Sequence, residues 1–311
     1  MALRPMTALT ASDPTPLGPT QRISAFMAGF SVEATRPSAD DVAALTTLER
    51  GTRVYLSALP NRPGEEALNS AIKLRAAGLV PVPHLAVRNF PTVEAFDELL
   101  ARFNGEAGVD TVLVIAGDRA ECGPFRRALD AIDSGVLRRR GIVTVGIAGY
   151  PEGHPRIGDE ELKLALAEKI AAAEATGLTV EIVTQFCFDA QAIKSFIARL
   201  RGFGYDHRMR VGLAGPTSMT SLMRYAGRCG VRASAQAMAR RSGLVRQMFA
   251  MATPDDLIRS LAEAAPTGVT PHLFSFGGIP ATGRWGRAVA DGHIVLDARD
   301  GFRIELPRRD A

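Results

Sequence analysis

Polar and aromatic side chains stand at the ends of the apolar runs that read as buried strands. The set comprises two carboxylates, an amide, a hydroxyl, two histidines and three aromatic rings: Glu33, Asp118, Gln185, Ser57, His84, His154, Tyr150, Phe274 and Phe276. Paired carboxylates transfer protons or stabilise a cation, an amide hydrogen-bonds a heterocycle edge, and aromatic rings stack on one. The set lacks a nucleophile beside a base, and its histidines lack HxH or HxxxH metal spacing. It therefore predicts a bound organic cofactor and no metal.

The stretch over residues 142–188 indicates how such groups come together. Its apolar run IVTVGIAG has the length of a buried strand, DEELKLALAEKIAAAEATG has helical spacing, and LTVEIVT is a second strand. Parallel α/β folds bind their ligands at the carboxyl ends of the strands. We therefore expect Tyr150, His154 and Gln185 at one end of a sheet.

The same alternation of strand and helix runs along the whole chain. The predicted strands are ISAFMAGFSVE, RVYLSAL, LVPVPHLAV, DTVLVIAGD, IVTVGIAG, LTVEIVTQF, RMRVGLAG and PHLFSFGG. Eight such pairs in 311 residues predict the α/β class and a (β/α)8 TIM barrel. A doubly wound open sheet is the alternative, but the Gly-rich dinucleotide turn that usually follows its first strand is absent from the sequence. Residues 218–264 are expected to hold two or three helices.

We divide the chain into three parts. Residues 1–22, rich in Pro and Thr, are expected to be a flexible N-terminal arm. Residues 23–280 are expected to form the catalytic barrel, and residues 281–311 a small C-terminal β extension with a hairpin around Asp300 and Gly301. The first residues lack the continuous apolar core of a secretion signal, and no later run approaches a membrane span in length.

Composition bounds the partners. The formal charge of +4 and pI near 9.2 favour attraction for an anionic small molecule. Four Tyr and one Trp provide no aromatic and basic interleaving for nucleic acid. Three scattered cysteines without a CxxC pair argue against disulfides and zinc and fit a cytoplasmic setting. We expect Cys187 to be a core thiol.

Five motifs carry a family resemblance. FSVEATRP, HLAVRN, VLVIAGD, VGIAGYPEGHP and VTQFCFD, in this order and at these spacings, resemble the methylenetetrahydrofolate reductase family, a flavin-binding (β/α)8 barrel. The resemblance covers roughly residues 23–280, and AGYPEGHP and TQFCFD are its most specific segments. It implies FAD as cofactor, a folate as substrate and NADH or NADPH as a candidate electron donor. We expect a homo-oligomer with no nucleic-acid or membrane partner.

The resemblance also implies residue roles. Glu33 matches a glutamate in proton transfer, Asp118 an aspartate near flavin and pterin, and Gln185 a glutamine that binds folate, and these three are the expected catalytic residues. The positions that match the FAD site are Ser57, His84, Gly117, Asp118, Ala148, Tyr150, His154 and Lys169. The positions expected to bind the substrate are Gln185, Phe274 and Phe276.

Three departures from the family pattern bear on the cofactors. Ala116 stands where the family has an arginine, and Lys169 is the one basic residue left among alanines on the phosphate-side helix. Small residues in PTSMTS, with Thr220 or Leu222 nearest, replace a bulky aromatic after the seventh strand. The first two bear on FAD affinity and the third on direct use of NADH or NADPH.

The implied reaction is hydride transfer from reduced FAD to 5,10-methylenetetrahydrofolate, giving 5-methyltetrahydrofolate. Glu33, with a pKa raised by burial, is expected to protonate the ring-opening nitrogen, and Asp118 to stabilise the iminium. The same site run backwards is a 5-methyltetrahydrofolate oxidase of methyl-group catabolism with a non-nicotinamide acceptor. Two further alternatives are a flavin-less folate-binding subunit and an unrelated barrel lyase, for which FGGIP at 276–280 is a faint phosphate-loop match.

Overall fold

Eight parallel strands close into a barrel. The structure is a computed structural model that describes residues 17–59, 64–120, 123–229, 231, 251–264, 266–298 and 300–306. Its first ten strands are β1 (Ser31–Ala34), β2 (Arg53–Leu56), β3 (Val80–Ala86), β4 (Thr111–Ile115), β5 (Thr144–Gly149), β6 (Thr179–Thr184), β7 (Arg208–Ala214), β8 (Thr217–Ser218), β9 (Met251–Ala252) and β10 (Val269–Phe274). The closed order is β1-β10-β7-β6-β5-β4-β3-β2. The predicted (β/α)8 barrel is confirmed.

Helices cover the outside of the barrel. They are α1 (Pro19–Met27), α2 (Ala39–Leu45), α3 (Glu65–Ala76), α4 (Val93–Ala107), α5 (Ala128–Asp133), α6 (Val136–Arg139), α7 (Asp159–Ala175), α8 (Ala190–Gly202), α9 (Met219–Cys229), α10 (Asp255–Ala264) and α11 (Ile279–Ala290). Short side chains begin several of them. Ser38 accepts a hydrogen bond from Asp41 N at the start of α2, and Asp189 accepts from Gln191 N at the start of α8. The polar strand ends are thereby joined to the helices by tightly fixed turns.

The predicted N-terminal boundary is wrong. Residues 19–22 belong to α1, and the predicted first strand is reduced to β1 because α1 continues to Met27. Pro19 opens this helix, and the Gln21 side chain caps Gly18 N at 2.9 Å. Ile23, Phe26 and Met27 then bury one face, since a spacing of three and four residues repeats once per helical turn. Residues 1–16 of the expected arm lie outside the described residues.

The predicted boundary at residue 280 also moves. Helix α11 packs against β1, β10, α1 and α2, so it is the last helix of the barrel. Gly286 allows this close packing, because a Cβ there would lie 2.6 Å from Phe30 Cε2. Beyond α11, strands β11 (Ile294–Leu296) and β12 (Phe302–Ile304) form the predicted antiparallel hairpin. Trp285 of α11 stacks on Phe302 with ring centroids 6.1 Å apart.

The predicted helical region over residues 218–264 is described only at its two ends. Helix α9 begins it and α10 ends it. Residues 232–250, which include Arg240, Arg241 and Arg246, lie outside the described residues. Among the helices that the structure does describe, none has the length and apolar character needed to cross a membrane.

An ionic cluster fills the barrel interior away from the strand ends. Glu181 of β6 is 3% exposed. Its carboxylate accepts hydrogen bonds from Arg53 Nη1 at 2.6 Å, Tyr55 OH at 2.9 Å and Arg210 Nε at 2.9 Å. The Tyr55 ring also packs edge-on against His272, with centroids 4.6 Å apart. The cluster is therefore a fixed floor beneath the polar strand ends.

Candidate active site

Glu33, near the end of β1, is held by three side chains from neighbouring strands. Ser57 Oγ donates to Glu33 Oε1 at 2.6 Å, and His272 Nε2 lies 3.2 Å from Oε2. His84 Nε2 lies 3.8 Å from the same Oε2. The Glu33 side chain is 15% exposed, so the carboxylate is nearly enclosed but reachable. The structure thus brings together three of the predicted site residues, Glu33, Ser57 and His84.

The electrostatics of Glu33 differ from the expectation. Burial acts to raise its pKa, but His84, His272 and Ser57 together outweigh burial and lower the pKa to about 2. Burial lowers the pKa of His84, against the opposing effect of the Glu33 charge. The expected upward shift of the Glu33 pKa is therefore wrong for the free chain. Glu33 is a carboxylate at neutral pH and must take up a proton before it can act as an acid.

Two members of this site were missed from the sequence. His272 of β10 is fully buried, and Ser31 Oγ lies 2.9 Å from its Nδ1. Ser31, His272 and Glu33 therefore form a continuous hydrogen-bonded chain. A period of two residues could have found them, since His272 precedes Phe274 and Ser31 precedes Glu33 by one repeat on the same face of each strand. The register pairs Ser31 with His272 and Glu33 with Phe274.

Acid should weaken the fold through Glu33. Because the folded pKa is about 2 against an ordinary 4.5, the carboxylate stabilises the fold above about pH 4.5, and this is lost as the pH falls toward 2. We expect the difference in the free energy of unfolding between wild type and Glu33→Gln to shrink by up to about 3 kcal/mol across that window. Urea unfolding at about pH 6 and about pH 3 measures it.

Glu49→Gln is the control for this prediction, because Glu49 is an exposed carboxyl with no hydrogen bond through its side chain to the described residues. Its difference from wild type should vary little over the same pH range. A pH-independent difference for Glu33→Gln would contradict the assignment of a stabilised carboxylate.

A second group of predicted residues lies around the end of β4 and the turn after β5. Gly117 has a φ of +88°, and a Cβ there would lie 2.9 Å from Ala86 Cβ, so glycine is required. Asp118 follows as an exposed carboxylate. The Tyr150 and His154 rings meet edge-on at 5.2 Å. Burial raises the pKa of Tyr150, and the Asp118 charge raises it further. Asp118 and Tyr150 are thus close enough to interact electrostatically.

Gln185 and the aromatic residues form the third group. Gln185 Oε1 accepts from Phe186 N at 3.1 Å, which leaves the side-chain NH2 as the group that can meet a ligand. The buried Phe186 ring contacts Phe274 at 5.3 Å and Phe276 at 4.9 Å. Phe274 in turn contacts His272 at 5.0 Å. A chain of contacts therefore joins the amide to the surroundings of Glu33.

An aromatic side chain that the sequence reasoning missed lies at this end of the barrel. Tyr225 of α9 stacks on Phe276 with centroids 4.1 Å apart and an interplanar angle of 12°. The PTSMTS segment lacks an aromatic residue, as expected, and Leu222 is buried beneath this pair. The signal available was a tyrosine one helical turn beyond Leu222, on the same face.

The expected FAD residues line two separate cavities. Ala148 and Tyr150 border a cavity of about 730 Å³ between α7 and α8. Ser57 and His84 border one of about 330 Å³ between α3 and α4. Lys169 of α7 has a pKa lowered to about 8 by burial, and no carboxylate among the described residues pairs with it. A half-buried cation without a partner fits a phosphate, and the enforced glycine at position 117 fits close passage of backbone beside a flat ligand.

A barrel with an enclosed carboxylate, an amide and an aromatic wall at its strand ends has the form of an enzyme site for a heterocyclic ligand. A family model for methylenetetrahydrofolate reductase matches residues 66–248, and the chain belongs to this family. Family membership supports a folate-related oxidoreductase role in one-carbon metabolism. It also removes the alternative of an unrelated phosphate-loop lyase.

Two individual proteins are similar to the chain. Methylenetetrahydrofolate reductase 2 of Saccharomyces cerevisiae is 26% identical over 157 residues, which cover 48% of this chain and 26% of the yeast protein. The match thus spans about a quarter of that relative's length. Dihydropteroate synthase (FolP) from Thermus thermophilus has a TM-score of 0.47 and 15% identity, covering 83% of this chain and 91% of that structure. At that similarity nothing about this chain follows from the second match.

Proposed function

We propose that this chain is a flavin-dependent oxidoreductase that interconverts 5,10-methylenetetrahydrofolate and 5-methyltetrahydrofolate. The observation that carries the proposal is the Glu33 carboxylate, enclosed at the barrel end and contacted by Ser57, His84 and His272. A barrel that served only as a folate-binding subunit would have no need to enclose a carboxylate between two histidines. Family membership supports the choice of substrate.

The residues of this chain then divide the chemistry among themselves. FAD, when bound, supplies hydride transfer. Glu33 holds the proton at the folate nitrogen that leaves as the methylene bridge opens. Removal of water by bound ligands favours its neutral form, because desolvation raises a carboxyl pKa. Asp118 stabilises the cationic iminium, and the Gln185 NH2 donates to the pterin edge.

The cofactor would be held mainly by α7 and the turn before it. Lys169 is the candidate for the FAD phosphates, since burial disfavours its charge until an anion arrives. Tyr150 and His154 present an aromatic edge beside Asp118. Ser57, His84, Gly117 and Ala148 complete the proposed lining.

The deciding experiment is the visible absorption spectrum of the purified protein with FAD, followed by 5-methyltetrahydrofolate without oxygen. We expect a flavin spectrum that bleaches as the flavin is reduced. Repeating the anaerobic reduction with NADH and with NADPH identifies the electron donor. Bleaching by the folate but by neither nicotinamide favours the oxidase direction. A colourless protein that takes up no FAD would contradict the flavin proposal and favour a folate-binding subunit.

Lys169→Met should weaken FAD binding by at least about tenfold, because a charge-assisted hydrogen bond to phosphate is worth about 1.5–3 kcal/mol. Wild-type affinity should also fall as the pH rises through about 8, where free Lys169 loses its proton. The Kd for FAD, measured by flavin fluorescence quenching over this pH range, tests both effects.

The matched control is Lys163→Met on the same helix. Lys163 is exposed and paired with Glu160, so its loss should change the Kd by no more than about twofold. Equal losses for the two lysine variants would show that net charge, and not a phosphate contact at Lys169, sets the affinity.

A further inference from the structure

A thiol and a carboxylate join the two loops that carry most of the proposed ligand-binding residues. Cys187 Sγ, just beyond β6, lies 2.9 Å from Glu152 Oε1 in the turn after β5. Asp189 N donates to the same sulfur at 3.3 Å. Cys187 is 1% exposed, whereas Glu152 lies on the surface. The contact therefore runs from the core outward to an exposed turn.

The two partners differ in how firmly they are held. The backbone N–H of Cys187 donates to Gly212 O of β7 at 3.2 Å, so the thiol is fixed to the barrel. The turn is held by its own bonds, from Gly153 N to Tyr150 O at 3.1 Å and from Arg156 N to His154 Nδ1 at 3.2 Å. Within the described chain, the Glu152 carboxylate makes the one hydrogen bond that links residues 151–157 to another segment.

The chemistry of the pair gives the bond a direction. Burial raises the pKa of the Cys187 thiol, and the hydrogen bond to Glu152 raises it further, so the sulfur keeps its proton. A protonated thiol can donate, and an ionised carboxylate can only accept. The same effects make Cys187 a poor nucleophile, which confines it to a structural contact.

We propose that Cys187 is a positioning residue whose S–H, donated to Glu152, fixes the turn of Tyr150 and His154 relative to the strand end of Gln185. The turn lies on the proposed flavin side, and Gln185 lies on the proposed folate side. The hydrogen bond thus sets the spacing between the two halves of the ligand site. The effect on cofactor binding rests on the proposed function, but the restraint on the turn does not.

Hydrogen exchange followed by mass spectrometry tests the restraint without any cofactor. In Cys187→Ala and in Glu152→Gln, amide exchange over residues 150–157 should speed up by about fivefold, the size expected for loss of one hydrogen bond. The double variant should be no faster than either single variant, because the two side chains act through one contact. Cys187→Ser, which restores a donor, should return exchange to within about twofold of wild type.

Glu160→Gln is the matched control, since Glu160 is an exposed carboxylate near the same turn and contacts only Lys163 among the described residues. It should leave exchange over residues 150–157 unchanged. Unchanged exchange in Glu152→Gln, or additive acceleration in the double variant, would overturn the proposal. Glu152 is exposed, so its variant should fold even if Cys187→Ala does not.

The Kd for FAD separates this inference from the proposed function. Where wild type binds FAD, Cys187→Ala and Glu152→Gln should raise the Kd by about fivefold, and Cys187→Ser should not. Faster exchange in both variants of a protein that takes up no FAD would uphold the restraint and refute the flavin proposal. Normal exchange with weakened FAD binding would refute the restraint.

Discussion

Replacing Glu33 by glutamine is expected to lower the turnover of methylenetetrahydrofolate by about 10²–10⁴-fold, the size of a positioned acid's contribution. The amide keeps the shape of the side chain and can still hydrogen-bond Ser57 and His272, so the fold and FAD binding should persist. The loss should therefore lie in kcat and be small in the Kd for FAD. Anaerobic stopped-flow oxidation of reduced enzyme by the folate isolates this step.

Glu49→Gln provides the comparison, because it removes an exposed carboxyl outside the proposed site. Its turnover should equal that of wild type. Full activity in Glu33→Gln would refute the role of Glu33 in proton transfer while leaving the flavin assignment open to its own spectral test.

Replacing Glu181 by glutamine should lower the free energy of unfolding by about 3–5 kcal/mol, the usual cost of breaking a buried ion pair. The reason is that Arg53 and Arg210 both bond this carboxylate in the barrel interior. Without it, two guanidinium groups share the interior with no charged partner among the described residues. Urea unfolding followed by circular dichroism measures the loss as a lower midpoint with an unchanged slope.

The surface pair of Arg102 and Glu106 is the control for this prediction. Both side chains are more than two-fifths exposed, at 43% and 44%, and such pairs contribute about 0–1 kcal/mol. Glu106→Gln should therefore cost little stability. A Glu181→Gln variant as stable as Glu106→Gln would mean that water reaches the interior cluster.

Most of the fold could be predicted because each barrel strand is a short apolar run closed by glycine or a polar residue. Helix α1 was missed for the opposite reason. Its apolar residues Ile23, Phe26 and Met27 run directly toward β1, and a nearly continuous apolar stretch reads as a strand unless its period is counted. The end of the barrel was misplaced because the glycines of α11 suggest a break in the helix. In the folded chain they allow close packing instead.

The candidate site was predictable in its residues but not in its electrostatics. Glu33 could be singled out as a strand-end carboxylate, but the direction of its pKa shift depends on which groups face it. His272 faces it from 239 residues away in the sequence. Neighbours of that kind follow from strand register, which single strands do not reveal. Burial alone gave the wrong sign for this reason.

The pairing of β1 with β10 has a consequence for how the protein is made. Ser31 and His272 bond each other across 241 residues of chain, and α1 packs against α10 and α11. During synthesis β1 emerges early and waits for almost the whole barrel before its second neighbour exists. Until then the nascent sheet has two open edges, which are sites for pairing with other chains. Closure of the ring is thus a late, long-range event, and slow folding with a need for protection by chaperones is expected.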